Sequence, residues 1–372
     1  MVKRVSVLSS DNNIPKLEYQ DIYKGYGVLN KDISKKLDSR KGLLFESGDL
    51  LFGFLSPENK NYMKVDFNGI AVGDFWLFKS QQNNPDFIYT YFEHPDFIKS
   101  FKVQSGTKMP RANWTLVSSV HYWIPQIKEQ KIIGKFFSNY QSNQLNKTRY
   151  VDKLKQIKDI LLSTLFINTH KTEPEIRFKK FHDKWNIKVL GDISEKVREK
   201  NKELKYTETF TNSAKNGIVS QNDYFNKAIT NDLNIGVYYI VEPDSFVHNS
   251  LVSENAPAGP MNRNNLGRTG IMSPLYFIFK VHGTSLDFVE YFFKSTYWHQ
   301  FIQENGDIGA RSNRFSIKDN TFFELPISMP PLSEQTKIGK LFKTLDKLIS
   351  LQNTEINILK ELKKTAMKML LI

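Results

Sequence analysis

The feature that most constrains this chain is an internal repeat. Residues 125–167 align with residues 330–372 at a shift of 205, without a gap, and twelve of the 43 positions are identical. The matches include Pro125/Pro330, Glu129/Glu334, Gln130/Gln335, Gly134/Gly339, Lys135/Lys340 and Phe137/Phe342. A match of that length at one offset means that one structural unit occurs twice.

Each copy is predicted as one long helix. Proline stands just before the first turn, where a missing N–H costs nothing, and neither run is interrupted by proline. Ser333 is the candidate cap of the second helix, with Glu334 suited to the positive end of the dipole. Apolar residues recur at Ile338, Leu341, Leu345 and Leu348, then at Ile356, Leu359, Leu362, Ala366 and Leu370. In the first copy the equivalent seam runs through Ile133, Phe136, Tyr140, Val151, Leu154, Ile157, Leu161 and Leu165. Spacings of three and four are those of a coiled-coil seam. Both seams turn polar midway, at Asn143 and Lys147 and at Gln352 and Glu355. About 40 residues at ~1.5 Å each make a rod of ~60 Å. The two rods are expected to pair antiparallel, with Ile133, Phe136, Leu154 and Leu161 facing Ile338, Leu341, Leu359 and Ala366. The alternative is two bundle helices, each confined to its own domain.

The segments before the helices also repeat, more loosely. Trp76-Leu77-Phe78-Lys79 stands opposite Phe277-Ile278-Phe279-Lys280, and Asp86-Phe87-Ile88 opposite Asp287-Phe288-Val289. Short apolar runs and turn signals such as Gly48-Asp49 predict strands at 5–8, 42–45, 50–55 and 75–79. A helix is expected over 86–101, broken or restarted at Pro95, and another over 285–301. The fold class is therefore α/β (α+β): two pseudo-repeated modules joined by two long antiparallel coiled-coil helices. The organisation is 1–122 first module, 123–167 first helix, 168–174 linker, 175–328 second module and 329–372 second helix. One asymmetry stands out. Met1 falls opposite Gly191, so residues 174–190 have no first copy and the opening of the first module is missing.

Lys and Arg number 52 against 39 Asp and Glu, a net charge of +13, which favours a polyanionic partner. Reading duplex DNA takes cations for phosphates and forked or amide side chains for base edges. The basic loops offer both: Lys108, Arg111 and Asn113 before the first helix, and Arg311, Asn313 and Arg314 before the second. A second candidate loop carries Arg263, Asn264 and Arg268, and Lys215 is a further candidate in Ala214-Lys215-Asn216-Gly217. Each of these charges could equally be a solvated surface residue or half of a local ion pair.

Enzyme readings are weaker. Asn84-Pro85-Asp86-Phe87 lacks the second proline of an adenine methyltransferase motif, and a turn opening a helix explains it better. The glycine-bearing stretch 259–270 lacks the G-K-[ST] of a phosphate loop. The seven histidines form no H-x-x-x-H pair, so no metal site is expected, and the absence of cysteine excludes thiolate chemistry and fits a reducing cytosol. No signal peptide and no run of 18 apolar residues is present, so neither export nor a membrane span is expected.

A module ending in P-x-x-x-E-Q-x-x-I-G-x-x-F and a long helix, present twice, with P-E-I-R-F…W…L-G opening the second module, resembles the specificity subunit of type I restriction-modification systems. The resemblance covers nearly the whole chain; the missing first opening departs from it. It implies two target recognition domains, each reading one half of a split double-stranded DNA sequence, with the helices as a spacer. It implies docking of two modification subunits, which bring S-adenosylmethionine and adenine methylation, and of restriction subunits in the full complex. The specificity subunit would itself catalyse nothing and hold no cofactor. A coiled-coil adaptor joining two modules that do not read DNA is the competing reading. Salt-dependent binding to duplex DNA separates the two.

Overall fold

The computed structural model describes residues 1–101, 110–168, 170–225, 232–308 and 314–371. They divide into two compact units: residues 1–151 with 351–372, and residues 152–350. The boundary cuts both long helices, Ile127–Thr164 and Leu332–Leu370. Each unit therefore holds one module, part of the helix that follows it, and part of the other helix.

The duplication is visible in strand order. In the first unit Val2–Val5, Phe75–Ser80, Leu50–Gly53 and Tyr62–Lys64 lie side by side in that order, all antiparallel. In the second unit Ser194–Lys196, Phe277–Val281, Phe246–His248 and Met261–Arg263 repeat the arrangement. Register makes Trp76 equivalent to Phe277, Phe52 to His248 and Lys64 to Arg263. Elsewhere the modules diverge. The first has another four-stranded sheet of Leu8–Ser9, Gly42–Phe45, Gly69–Ala71 and Lys16–Leu17; the second has instead only two-stranded sheets among its described residues, including the hairpin Phe210–Ser213/Gly217–Ser220 and the pair Tyr239–Val241/Gly270–Met272.

Each conserved sheet is followed by a helix capped by a polar side chain. Asn84 accepts from the Phe87 N–H at the start of Pro85–Tyr91, and Ser285 accepts from the Phe288 N–H at the start of Leu286–Lys294. The expected helices over 86–101 and 285–301 are each two helices, restarting at Pro95 and at His299.

Within each unit the helix segments run antiparallel. In the first, the Tyr140 hydroxyl donates to the Leu359 carbonyl, and Lys147 meets Glu355 at 2.7 Å. In the second, Lys158 meets Asp346 at 2.5 Å. The expected seam needs correction at several positions. Ile133, Leu154 and Ile338 are buried, and Leu161, Leu341 and Ala366 pack partly buried. Phe136 and Ile157 are about half exposed. Leu362 and Leu370 face outward, while Lys363 and Met367 are buried in their place. Lys363 is held there by Glu93 at 2.9 Å, so an ion pair with the turn between two module helices takes the place of the leucine in the seam. Ser333 lies inside the first turn of its helix and is not the cap.

The repeated motif has a mechanical explanation. Gln130 accepts from the Asn84 N–H and donates to the Asn83 side chain and the Pro125 carbonyl. Gln335 accepts from the Ser285 N–H and the Thr284 hydroxyl and donates to the Pro330 carbonyl. One amide thus ties the entry to the long helix to the cap of the module helix. A Cβ at Gly134 would lie 2.7 Å from the Phe87 nitrogen, and one at Gly339 would lie 2.6 Å from the Asp287 Cβ. Glycine there lets the module helix approach the long helix by its N-terminus.

Candidate nucleic-acid interface

In the second module, strands Phe210–Ser213 and Gly217–Ser220 form a hairpin whose turn carries Lys215. Gly217 closes the turn at φ +70°, where a side chain would be strained. The Ser213 hydroxyl accepts from the backbone N–H of Lys215 and Asn216, each at 3.3 Å. Behind the turn the buried Asn212 amide donates to the Val247 and Pro260 carbonyls at 2.7 and 2.9 Å and accepts from Asn262 at 2.7 Å. This network anchors the hairpin to the conserved sheet while Lys215 stays exposed.

Lys215 and Arg314 line one open cleft of about 640 Å³, with Gln221, Tyr224, Phe225 and Tyr276. Arg314 is exposed and held by a backbone bridge to Leu251. Tyr224 and Phe225 are both 44% exposed, with rings edge-to-face 4.9 Å apart. Cations beside exposed rings and amides are the groups that contact phosphates, stack on bases and bond base edges. Sequence reasoning missed Gln221, Tyr224 and Phe225. The signal was an aromatic pair inside the polar stretch Gln221-Asn222-Asp223-Tyr224-Phe225.

Three other candidates are engaged by partners within the module. Arg263 is buried, with Nε and Nη2 on Asp244, Nη1 2.7 Å from Asp287 and 3.5 Å from Glu290. Burial alone would lower its pKa; the bonds to Asp244 and Asp287 outweigh that and raise it. Its counterpart Lys64 pairs with Asp86 in the first module, so the strut belongs to the duplicated scaffold. Asn264 is buried and donates to the Val241, Glu242 and Arg268 carbonyls while accepting from the Leu266 N–H, which shapes the loop. Arg268 is exposed but forms a two-pronged pair with Glu208, both contacts at 2.8 Å, and holds that carboxyl below its usual range.

In the first module Arg111 is exposed, 3.5 Å from Asp74, and its chain is pinned by a bridge to Leu55. Asn113 caps the helix Trp114–Ser118 by accepting from the Thr115 N–H, so its side-chain oxygen is occupied. Lys108, Arg311 and Asn313 lie outside the described residues. Among the described residues no group of three His, Asp or Glu could hold a metal, and no helix is long and apolar enough to cross a membrane.

No family model matches the sequence. The chain is similar to the type I restriction enzyme MjaVIII specificity subunit of Methanocaldococcus jannaschii, 22% identical over 343 residues, covering 87% of this chain and 76% of that protein. Its fold matches, over the whole chain and 93% of the other, the type I restriction-modification S subunit from M. genitalium, with a TM-score of 0.58 at 13% identity. It also matches a chain from a structure described as showing complex assembly and conformational transition of the type I R-M system. There the TM-score is 0.52 at 14% identity, over the whole chain and 94% of the other. The fold is thus that of type I specificity subunits, as the duplicated motif led one to expect.

Proposed function

We propose that this chain is the sequence-specific DNA-binding subunit of a type I restriction-modification complex, and that each module reads one half of a bipartite duplex site. The observation that carries this reading is the duplication itself. Two modules with the same four-stranded sheet are fastened by the same glutamine and glycine to an antiparallel helix pair, and they differ in the remaining strands and loops. A fixed frame bearing two different surfaces suits a split, asymmetric target. The net charge of +13 supports a polyanionic partner, and Lys215 and Arg314 beside exposed rings supply a reading surface in the second module. For the first module, Arg111 is the described candidate.

On this reading the subunit performs no chemistry. Two modification subunits dock on it and hold S-adenosylmethionine, restriction subunits complete the assembly, and the paired helices set the gap between half-sites. The test is co-expression with a type I modification subunit, followed by salt-titrated binding to duplex DNA. The chain should be retained with the modification subunit, and log K should fall linearly with log[salt]. Absence of retention together with salt-independent binding would overturn the proposal.

A further inference from the structure

The two modules differ most where the second is covered by residues 176–189. There, strand Asn186–Val189 pairs antiparallel with Pro326–Met329, placing Ile187 opposite Ser328 and Asn186 opposite Met329. Arg177 places Nε and Nη2 on the two oxygens of Glu334, each at 2.8 Å, and Glu334 is 0% exposed. Lys337 lies 4.9 Å from the ring centre of Phe181.

The repeat transfers each position to the first module. Ser328 and Met329 become Trp123 and Ile124, Glu334 becomes Glu129, and Lys337 becomes Ile132. Ser328 and Met329 are 3% and 4% exposed, whereas Trp123 and Ile124 are 87% and 41% exposed. Ile132 is 71% exposed. Residues 120–126 form no strand, and Glu129 is exposed with no ion pair among the described residues. A segment that belongs to no strand, an open carboxylate and bare apolar side chains thus coincide on the face that residues 176–189 cover in the other copy; of its backbone, the Trp123 carbonyl accepts from the Tyr91 hydroxyl at 3.2 Å. An exposed tryptophan beside two exposed isoleucines is the kind of patch that marks an interaction site, and a backbone segment outside any sheet can pair with an added strand.

We propose that this face of the first module is a docking site for an extended segment of the same chemistry as residues 174–190. Such a segment has an arginine followed by aromatic residues and ends in a tryptophan and a short strand, Asn186–Val189 in the second module. Its arginine pairs with Glu129, its strand adds antiparallel to residues 121–124, and its apolar residues cover Trp123 and Ile132. The joint below is already built, because Gln130 and Gly134 hold the same contacts as Gln335 and Gly339. The inference rests on the fold and is independent of DNA reading.

The test uses the full chain and a synthetic peptide of residues 174–190. Binding is followed by calorimetry and by the protein's tryptophan fluorescence, with a peptide whose Trp185 is replaced with Phe; the same titration of Trp123→Phe protein isolates the contribution of Trp123 from that of the other four tryptophans. The peptide should bind saturably and shift emission to the blue. Glu129→Gln in the protein or Arg177→Ala in the peptide should each weaken binding at least about tenfold, as loss of a two-pronged charged pair requires. The two changes together should do little more than either alone. Thermal melts should show that Glu129→Gln folds as well as the parent. No binding at about 1 mM peptide, or binding indifferent to Glu129→Gln, would overturn the proposal. So would concentration-dependent self-association that buries Trp123 and that the peptide does not compete, since a second copy would then own the face.

Discussion

The two modules agree where they grip the helices and disagree at their opening edges. Gln130 and Gln335 make matching bonds, Gly134 and Gly339 meet matching atoms, and Lys64–Asp86 and Arg263–Asp287 brace matching strands. Yet Glu334 is buried against Arg177, while its twin Glu129 stands in solvent. A duplicated residue therefore keeps its role only where its partner was duplicated too. The motif holds glutamine and glycine to one geometry in both copies, whereas among the described residues the glutamate has an ion-pair partner in only one.

The sharpest way to break this comparison is at the glutamates. Glu334→Ala strands the nearly buried Arg177 and should cost about 3–5 kcal/mol in denaturant unfolding, whereas Glu129→Ala should stay within about 0.5 kcal/mol. Equal effects would refute the asymmetry. The next contrast is pH. Burial pushes His248 down to about 4, against the opposing hydrogen bond to the Ala258 carbonyl; Phe52 holds the equivalent position in the first module. Below about 6.5 the unfolded chain binds a proton that the folded chain refuses, so acidification destabilises the fold. The loss should grow as pH falls from about 6.5 to 4, to about 3 kcal/mol, and His248→Phe should remove that part of the slope. Smaller and symmetric losses are expected at the joints. Gly134→Ala and Gly339→Ala should each cost about 1–3 kcal/mol through overpacking. Gln130→Ala and Gln335→Ala should each cost about 1–2 kcal/mol through orphaned N–H groups. The smallest effect falls on DNA. Lys215→Ala with Arg314→Ala should lower the salt slope of binding by about one to two units without changing stability.

The periodic and repeated parts of the chain were legible in its sequence. Both long helices, their antiparallel pairing and the two-module frame follow from spacing and from the repeat at 205. What a single side chain does was legible only where its partner is close in sequence. The carboxylates that engage Arg263, from Asp244, Asp287 and Glu290, come from other elements of the fold and do not stand beside it in the sequence. The acceptors of Asn264 likewise include carbonyls of Val241 and Glu242 on a different strand and loop. Lys363 reached the helix seam, against the heptad pattern, because Glu93 waits there. The cleft of Lys215 and Arg314 was half visible: the cations were noticed separately, and only folding brings them together with Tyr224 and Phe225.

The central claim is that one frame carries two independent readers. Its most direct test replaces residues 175–328 with the corresponding module of a type I specificity subunit of known target. The chimaera is then expressed with modification subunits, and methylated adenines are mapped across the genome. The account predicts a bipartite motif in which one half changes and the other is retained. A motif that changes in both halves, or in neither, would contradict it.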